Sequence, residues 1–474
     1  MRTVAYVLKI RRPATHASKT RIIVRSQMAE ALLIPAPSSL SLNRGSAFDL
    51  LCACATANPS AEQIGRIEST IHSVFAKSEG RTTNDENWNE FLRLAEHHGV
   101  LALVARNLTA HARDLPPKIE RSLESAYTAN LRRSLWFAAE LMRILHHLER
   151  KRLRALPYKG PVLAQTAYGD LGLRSFSDLD LLISPADFAQ ARQALAEIGY
   201  QPSRQLAPAV ERLWLRMGYE RSFDGAAGKN LVELQWNLLP YFYAVDSQSA
   251  NFRFDDLLAR ASCTVLGATE VPIELQANLE ADAQASFRPN VPTNVQAGVP
   301  CLSPEDSLLV LCLHAAKHLW TRLIWVADIA ESLRMPGIDF ALVISRARAL
   351  GITRILAVSV WLAEHLLAVA TPLSARDLRA YDSEVQLLGE ECAARLRSAA
   401  TYDFESAEYF RQILKLRERP SDRWRYLWRL VSTPGPGDVA AVALPETMFP
   451  LYRAVRIGRL LRKCFPAGQS PKRS

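Results

Sequence analysis

The chain has 474 residues, 49% of them hydrophobic, and a formal net charge of +10 at pH 7, enough apolar content and length for a large core in two or three domains. Seven cysteines, odd in number and scattered over positions 52, 54, 263, 301, 312, 392 and 464, exclude a disulfide-built secreted scaffold and fit a reducing cytoplasm. Residues 1–26 and 451–474 each carry seven Lys or Arg and no acid, so the tails hold +14 and the interval between them −4, which excludes a nucleic-acid surface spread over the whole protein.

Residues 1–45 read as a basic flexible extension; no continuous apolar run makes them a secretory signal, and the folded part is expected to start near Ala47. Residues 46–155 read as an N-terminal helical region. Trp88, Phe91 and Leu92 stand at the i, i+3, i+4 spacing of one helix face, and FLRLAEHHGVLALVARNL gives two helices around Gly99. Pro116-Pro117 breaks the chain before a long helix over roughly 119–153. His97-His98 and His146-His147 are adjacent pairs that diverge on a helix, poor geometry for a shared metal.

The chemistry concentrates in 156–266. Asp178-Leu179-Asp180 runs into Leu181-Leu182-Ile183, a carboxylate pair at i, i+2 on one side of a strand, with Leu179 and Leu181 on the other. Two acids held side by side repel unless a cation lies between them, so the pair is a natural seat for a divalent hard ion, Mg²⁺ or Mn²⁺. Glu233, in the alternating LVELQW, is the third acid that lets the site hold two ions. Lys159-Gly160 opens the short helical run PVLAQTAY, where glycine permits close approach of a triphosphate, the helix N-terminus offers N–H groups and Lys159 adds a charge. Arg174, four residues before Asp178, is placed to neutralise phosphate charge or to fix its loop through Asp170 or Asp178. Between the acidic strands, DFAQARQALAEIGY reads as an amphipathic helix closed by Gly199, and WLRMGYERSFDGAAGKNLVELQW as a hairpin turning at Asp224-Gly225 and Gly228. The expected class is α+β: a small mixed sheet flanked by N-terminal and C-terminal helical regions.

Residues 267–301 read as a flexible insert rich in Pro, Asn, Gln and Ala, and 302–430 as a C-terminal helical domain opened by Ser303 as a cap with Pro304 in the first turn. Its first helix carries His314, Lys317 and His318. HAAKH lacks the glutamate of HExxH, and the expectation is that Lys317 or His318 contacts phosphate or base, with Asp328 orienting one of them. ILAVSVWLAEHLLAVA is too short for a membrane span and suits a buried bundle helix. Residues 431–474 read as a Pro-Gly linker and a basic amphipathic tail, whose LYRAVRIGRLLRKCF fits a peripheral contact with an anionic membrane or nucleic acid, or a terminal helix packed by one face.

Lys159-Gly160, Tyr168, Arg174 and Asp178-x-Asp180, followed by Glu233, resemble the uncharacterised nucleotidyltransferase branch of the superfamily related to DNA polymerase beta. His314 to Trp320 and Trp325 to Ala330 are similar to a helical motif of that branch, and the resemblance covers about residues 85–335. Lys159-Gly160 stands where better known relatives carry Gly-Ser. The resemblance implies that Asp178, Asp180 and Glu233 hold the metals, while Lys159, Gly160, Arg174, Lys317 and His318 contact the nucleotide. The expected reaction moves a nucleoside monophosphate from an NTP to a hydroxyl or phosphate of a small molecule, protein or RNA, releasing pyrophosphate. Two alternatives remain: a glycosyltransferase using Asp-x-Asp on a sugar nucleotide, which requires a doubly wound domain ahead of the motif, and an inactive transferase-fold interaction module.

Overall fold

The computed structural model describes residues 44–75, 84–112, 115–225, 231–245, 251–267, 298–370, 383–399, 403 and 406–464. Nearly all of the expected extension, most of the expected insert and the turn at Gly228 lie outside them. Helices come first: α1 (Arg44–Cys54), α2 (Ala61–Phe75), α3 (Asn84–His97), α4 (Leu101–His111) and the long α5 (Pro117–Arg150). Gly99 joins α3 to α4 at φ +73, and a Cβ there would stand 3.0 Å from the Ile324 side chain, so glycine is demanded by both backbone and neighbour. Trp88 and Phe91 are buried edge to face with ring centroids 5.9 Å apart, as the apolar stripe requires.

The core follows as β1 (Ala155–Pro157), α6 (Gly160–Tyr168), β2 (Asp178–Ile183), α7 (Phe188–Glu197), β3 (Gln201–Pro202), α8 (Pro208–Met217), β4 (Glu220–Asp224) and β5 (Leu231–Gln235). The strands form one mixed sheet in the order β1-β2-β5-β4-β3, with β2 and β5 parallel and the other pairs antiparallel. Strand alternation divides the residues. Leu179, Leu181, Ile183, Val232, Leu234 and Phe223 join Phe188 and Leu195 of α7 and Phe137, Leu141 and Ile144 of α5 in a single hydrophobic cluster. The hairpin begins at Glu220 rather than at Trp214, because Trp214–Met217 complete α8 and pack their indole over Gly218, where a Cβ would lie 2.7 Å from the ring.

Beyond the sheet come α9 (Phe254–Ala259) and a two-stranded antiparallel ribbon of β6 (Ser262–Thr264) and β7 (Val299–Cys301), so the last residues of the expected insert are paired strand. The C-terminal helices are α10 (Pro304–Lys317), α11 (Leu323–Leu333), α12 (Phe340–Leu350), α13 (Thr353–Leu367), α14 (Ser383–Ser398), α15 (Ala407–Leu416), α16 (Pro420–Ser432), α17 (Pro436–Ala441) and α18 (Tyr452–Cys464). Ser303 caps α10 as expected, its Oγ accepting from Asp306 N at 3.3 Å. The Pro-Gly segment expected as a linker contains α17, whose buried Asp438 pairs with Arg456 and Arg459 of α18. Among the described residues, no helix is long and apolar enough to cross a membrane.

One buried ion pair fixes the helical region to the core. Arg174, in the loop before β2, donates from Nε and Nη2 to the two oxygens of Asp328 on α11, both at 2.8 Å, and Tyr168 OH at the end of α6 donates to Asp328 Oδ1 at 2.7 Å. The loop is held from beneath by α5, where Asn130 Nδ2 donates to Gly172 O at 2.7 Å and Tyr127 OH to Asp170 Oδ2 at 3.0 Å. Asp328→Asn leaves a guanidinium buried without its counter-charge, and should destabilise the fold by about 3–5 kcal/mol. The R174M/D328L double variant buries neither charge and should recover much of that loss; equal thermal midpoints for wild type and D328N would show the pair to be structurally idle.

Candidate active site

The polar face of the sheet is set by register. Asp180 on β2 is directly opposite Glu233 on β5, Glu233 is opposite Ser222 on β4, and Gln235 is opposite Glu220. Alternation then places Asp178, Asp180, Glu220, Glu233 and Gln235 on one face. Gln235 is the hub of this group: Nε2 donates to Asp180 Oδ1 at 2.9 Å and to Glu220 Oε2 and Glu233 Oε2 at 3.3 Å, while Oε1 accepts from Tyr158 OH at 2.6 Å. The amide therefore turns its donors towards the carboxylates, the orientation that their charge dictates.

Lys159 enters from the N-terminus of α6. Gly160 adopts φ +57, and its Cβ position faces Asp178 O at 3.5 Å; the turn it makes lets the Lys159 ammonium reach Asp180 Oδ1 at 3.0 Å and His314 Nδ1 on α10 at 3.4 Å. Burial pulls that ammonium's pKa down, but Asp180, Asp178 and Glu233 outweigh it and hold it above its ordinary value. Burial and the charge of Asp180 push the Asp178 carboxyl up to about 6, against the pull of Lys159 and Arg174. Glu233 is pushed well above the usual carboxylate range by burial and by Glu220, Asp180 and Asp178. Neither histidine of α10 holds a proton easily: burial, with Lys159 beside His314 and Lys317 beside His318, keeps both well below the ordinary imidazole range.

A family model described as an uncharacterised nucleotidyltransferase matches residues 84–368, from the start of α3 to the end of α13. The chain belongs to that nucleotidyltransferase family. No curated protein and no solved structure matches it.

The residues expected at the site fall into two groups. Asp178, Asp180, Glu233, Lys159 and Gly160 are gathered at one end of the polar face, with His314 against Lys159. Arg174 is 6% exposed and its fork is engaged by Asp328 rather than by Asp170 or Asp178. Asp328 therefore orients Arg174 and Tyr168, and not Lys317 or His318 as the sequence led us to expect. Lys317 donates to Tyr219 OH at 3.1 Å and lies 4.7 Å from that ring centroid, while His318 stacks on Trp325 at 4.9 Å. Tyr158, Tyr219, Glu220, Gln235 and His314 were not expected at the site. Glu220 and Gln235 carried a signal, since counting outwards from the hairpin turn sets both beside Glu233; His314 opens the helical stretch similar to the family motif, but its contact with Lys159 depends on tertiary packing, as does the place of Tyr158.

A divalent ion fits the chemistry of the donors. All three expected ligands offer hard carboxylate oxygen, and Asp180 Oδ2 is buried with no hydrogen-bond partner. Among the described residues, however, no three His, Cys, Asp or Glu side chains are already gathered as a metal cage; Lys159 supplies the positive charge at Asp180 instead.

Asp178 gives the free protein a pH signature. Its folded pKa of about 6 exceeds the ordinary 3.8, so its contribution to stability is fully present below 3.8 and is lost as pH rises to about 6. Asn at this position removes the titration. Urea midpoints of wild type and D178N, measured in chelator across pH 3.8 to 6, should diverge in favour of the variant as pH rises; parallel profiles would mean that Asp178 does not titrate there.

Proposed function

We propose that the protein transfers a nucleoside monophosphate from an NTP to a hydroxyl or phosphate oxygen of an acceptor, releasing pyrophosphate, with Mg²⁺ or Mn²⁺ held by Asp178, Asp180 and Glu233. The observation that supports this reading best is the placement of buried Asp180 and half-buried Asp178, Glu220 and Glu233 on one sheet face with a paired ammonium, Lys159. Such a face is short of positive charge. Divalent ions bound there would supply that charge and polarise the phosphoryl oxygens during in-line displacement.

The residues of the chain divide the remaining work. The acceptor oxygen forms its bond to the α-phosphorus as the bond from that phosphorus to the β-bridging oxygen breaks, and pyrophosphate leaves with the electron pair. Glu233, opposite Asp180 on the neighbouring strand, would be kept ionised by a bound cation and so takes the proton of an acceptor hydroxyl on a carboxylate oxygen. Lys159 and the N–H groups at the start of α6 hold the triphosphate, with Gly160 keeping the approach open. Lys317 and His318, on the helix that covers Tyr219 and Trp325, are the contacts for nucleotide or acceptor. Arg174 positions the loop leading into Asp178 through Asp328. The acceptor is a small molecule, a protein or an RNA, and the setting is cytoplasmic.

The sugar-nucleotide alternative is disfavoured by what precedes the motif. Ahead of Asp178 the described residues carry α1 to α6 and the three-residue β1, with no doubly wound sheet. An inactive module predicts no metal-dependent NTP binding at all. Labelled NTPs, Mg²⁺ and fractionated cell extract, followed by the fraction that becomes labelled, would identify the acceptor class. Asp180→Asn should then abolish transfer with the fold retained, because it removes charge from the most central ligand. Glu233→Gln should lower turnover strongly while keeping some NTP·Mg²⁺ binding by calorimetry. Pyrophosphate release by D180N at the wild-type rate would sink the two-metal reading.

A further inference from the structure

Helix α16 is packed along one side and open along another. Asp422, Tyr426 and Leu430 are buried, with Tyr426 OH donating to Phe410 O at 3.2 Å. Trp424, Leu427, Trp428 and Val431, at i, i+3, i+4 and i+7, form a stripe in which the two indoles are 71% and 66% exposed. Folding gains nothing from leaving indoles in water, so a contiguous stripe built around two of them marks a surface that is covered when the protein works. Helix α18 packs beside it, Arg456 Nε donating to Leu430 O at 2.9 Å, and adds exposed Ile457 and Leu461 together with exposed Arg453 and Arg462. From Leu451 to the C-terminus there are seven Lys or Arg and no acid.

We propose that the surface formed by α16 and α18 docks on an anionic lipid bilayer as a peripheral contact, with Trp424 and Trp428 at the headgroup level and the exposed Arg453 and Arg462 of α18 on the lipid phosphates. Indole rings favour that boundary because one edge is polar and the body apolar, and arginines flanking an apolar stripe are attracted by anionic headgroups. Charge decides against a second copy of the chain, since a twofold contact would set one basic tail against another. Nucleic acid would stack on the indoles but offers nothing to Leu427, Val431, Ile457 and Leu461, which acyl chains do cover. This contact is independent of the reading of the carboxylate site, and no residue of that site takes part in it.

Flotation of the full chain with vesicles tests the proposal. Binding is expected to phosphatidylcholine vesicles containing phosphatidylglycerol, to weaken with salt, and to be slight with phosphatidylcholine alone. The W424S/W428S variant should partition about tenfold more weakly, and R453E/R462E should lose the preference for anionic vesicles; all four side chains are exposed, so both variants should keep the wild-type thermal midpoint. Quenching of the wild-type tryptophan fluorescence by brominated phosphatidylglycerol gives a reading that needs no variant. The proposal is overturned if wild type does not bind vesicles, or if the tryptophan variant binds them equally well. It is also overturned if sedimentation velocity shows a dimer that W424S/W428S dissociates, or if a labelled oligonucleotide, and not vesicles, loses its binding in that variant.

Discussion

Asp178, Asp180, Glu220 and Glu233 share one face of a five-stranded sheet, and their mutual repulsion is the constraint around which the neighbouring residues are arranged. Gln235 relieves part of it by turning both amide hydrogens towards Asp180, Glu220 and Glu233, and Tyr158 fixes that amide by donating to its oxygen. Lys159 supplies a positive charge at 3.0 Å from Asp180. What remains uncompensated appears as protonation: Asp178 and Glu233 both hold their protons above the usual carboxylate range because burial and like charge oppose ionisation. A stable fold has no need to collect acids in this way. The arrangement costs stability in the free protein, and on the proposed reading a bound cation would offset that cost.

The parallel pairing of β2 with β5 is what brings the acids together, and it requires a crossover. That crossover contains α7, β3, α8 and β4, and β4 returns antiparallel to β5, carrying Glu220 to the same face. On the other face, Leu179, Leu181, Val232 and Leu234 meet α5 and α7, so the hydrophobic cluster holds the register that keeps Asp180 opposite Glu233. A one-residue slip would put the acids into that cluster. Register is therefore a shared requirement of core and site, and the ion pair of Arg174 with Asp328 extends it to α11, whose Trp325 meets His314 of α10 edge to face.

What the sequence disclosed follows how local each signal is. The alternation in DLDLLI and LVELQ assigns faces without knowledge of partners, and the two strands behave as their pattern says. Gly99, Pro116-Pro117 and the Ser303 cap act within a few residues, so the helices they punctuate were legible too. Arg174 shows the limit. Its loop contains Asp170 and leads to Asp178, both close in sequence, yet its partner is Asp328, more than a hundred and fifty positions on, because the desolvated guanidinium is best matched by a carboxylate that can accept from two of its nitrogens at once. Likewise the Pro-Gly segment after α16 contains a short helix anchored by Asp438 to the arginines of α18, an interaction that composition alone does not reveal.

The Lys159-Gly160 pair links the acids to the N-terminus of α6, the end that the proposed reading gives to the triphosphate. Lys159 caps α6 in an extended conformation, so its backbone is at the helix N-terminus while its ammonium reaches back to the sheet. The same charge is drawn by the carboxylates in the free protein and, on the proposed reading, by a triphosphate at the N-terminus of α6. It cannot satisfy both fully. Positive charge added at Asp178 and Asp180 weakens the hold of the sheet on Lys159, and negative charge added at α6 weakens it from the other side, so the two additions favour one another by linkage. On the proposed reading, a lysine in this position, where the better known members of the superfamily are expected to carry Gly-Ser, would make nucleotide affinity depend on the charge state of the carboxylates more strongly than a neutral hydroxyl would.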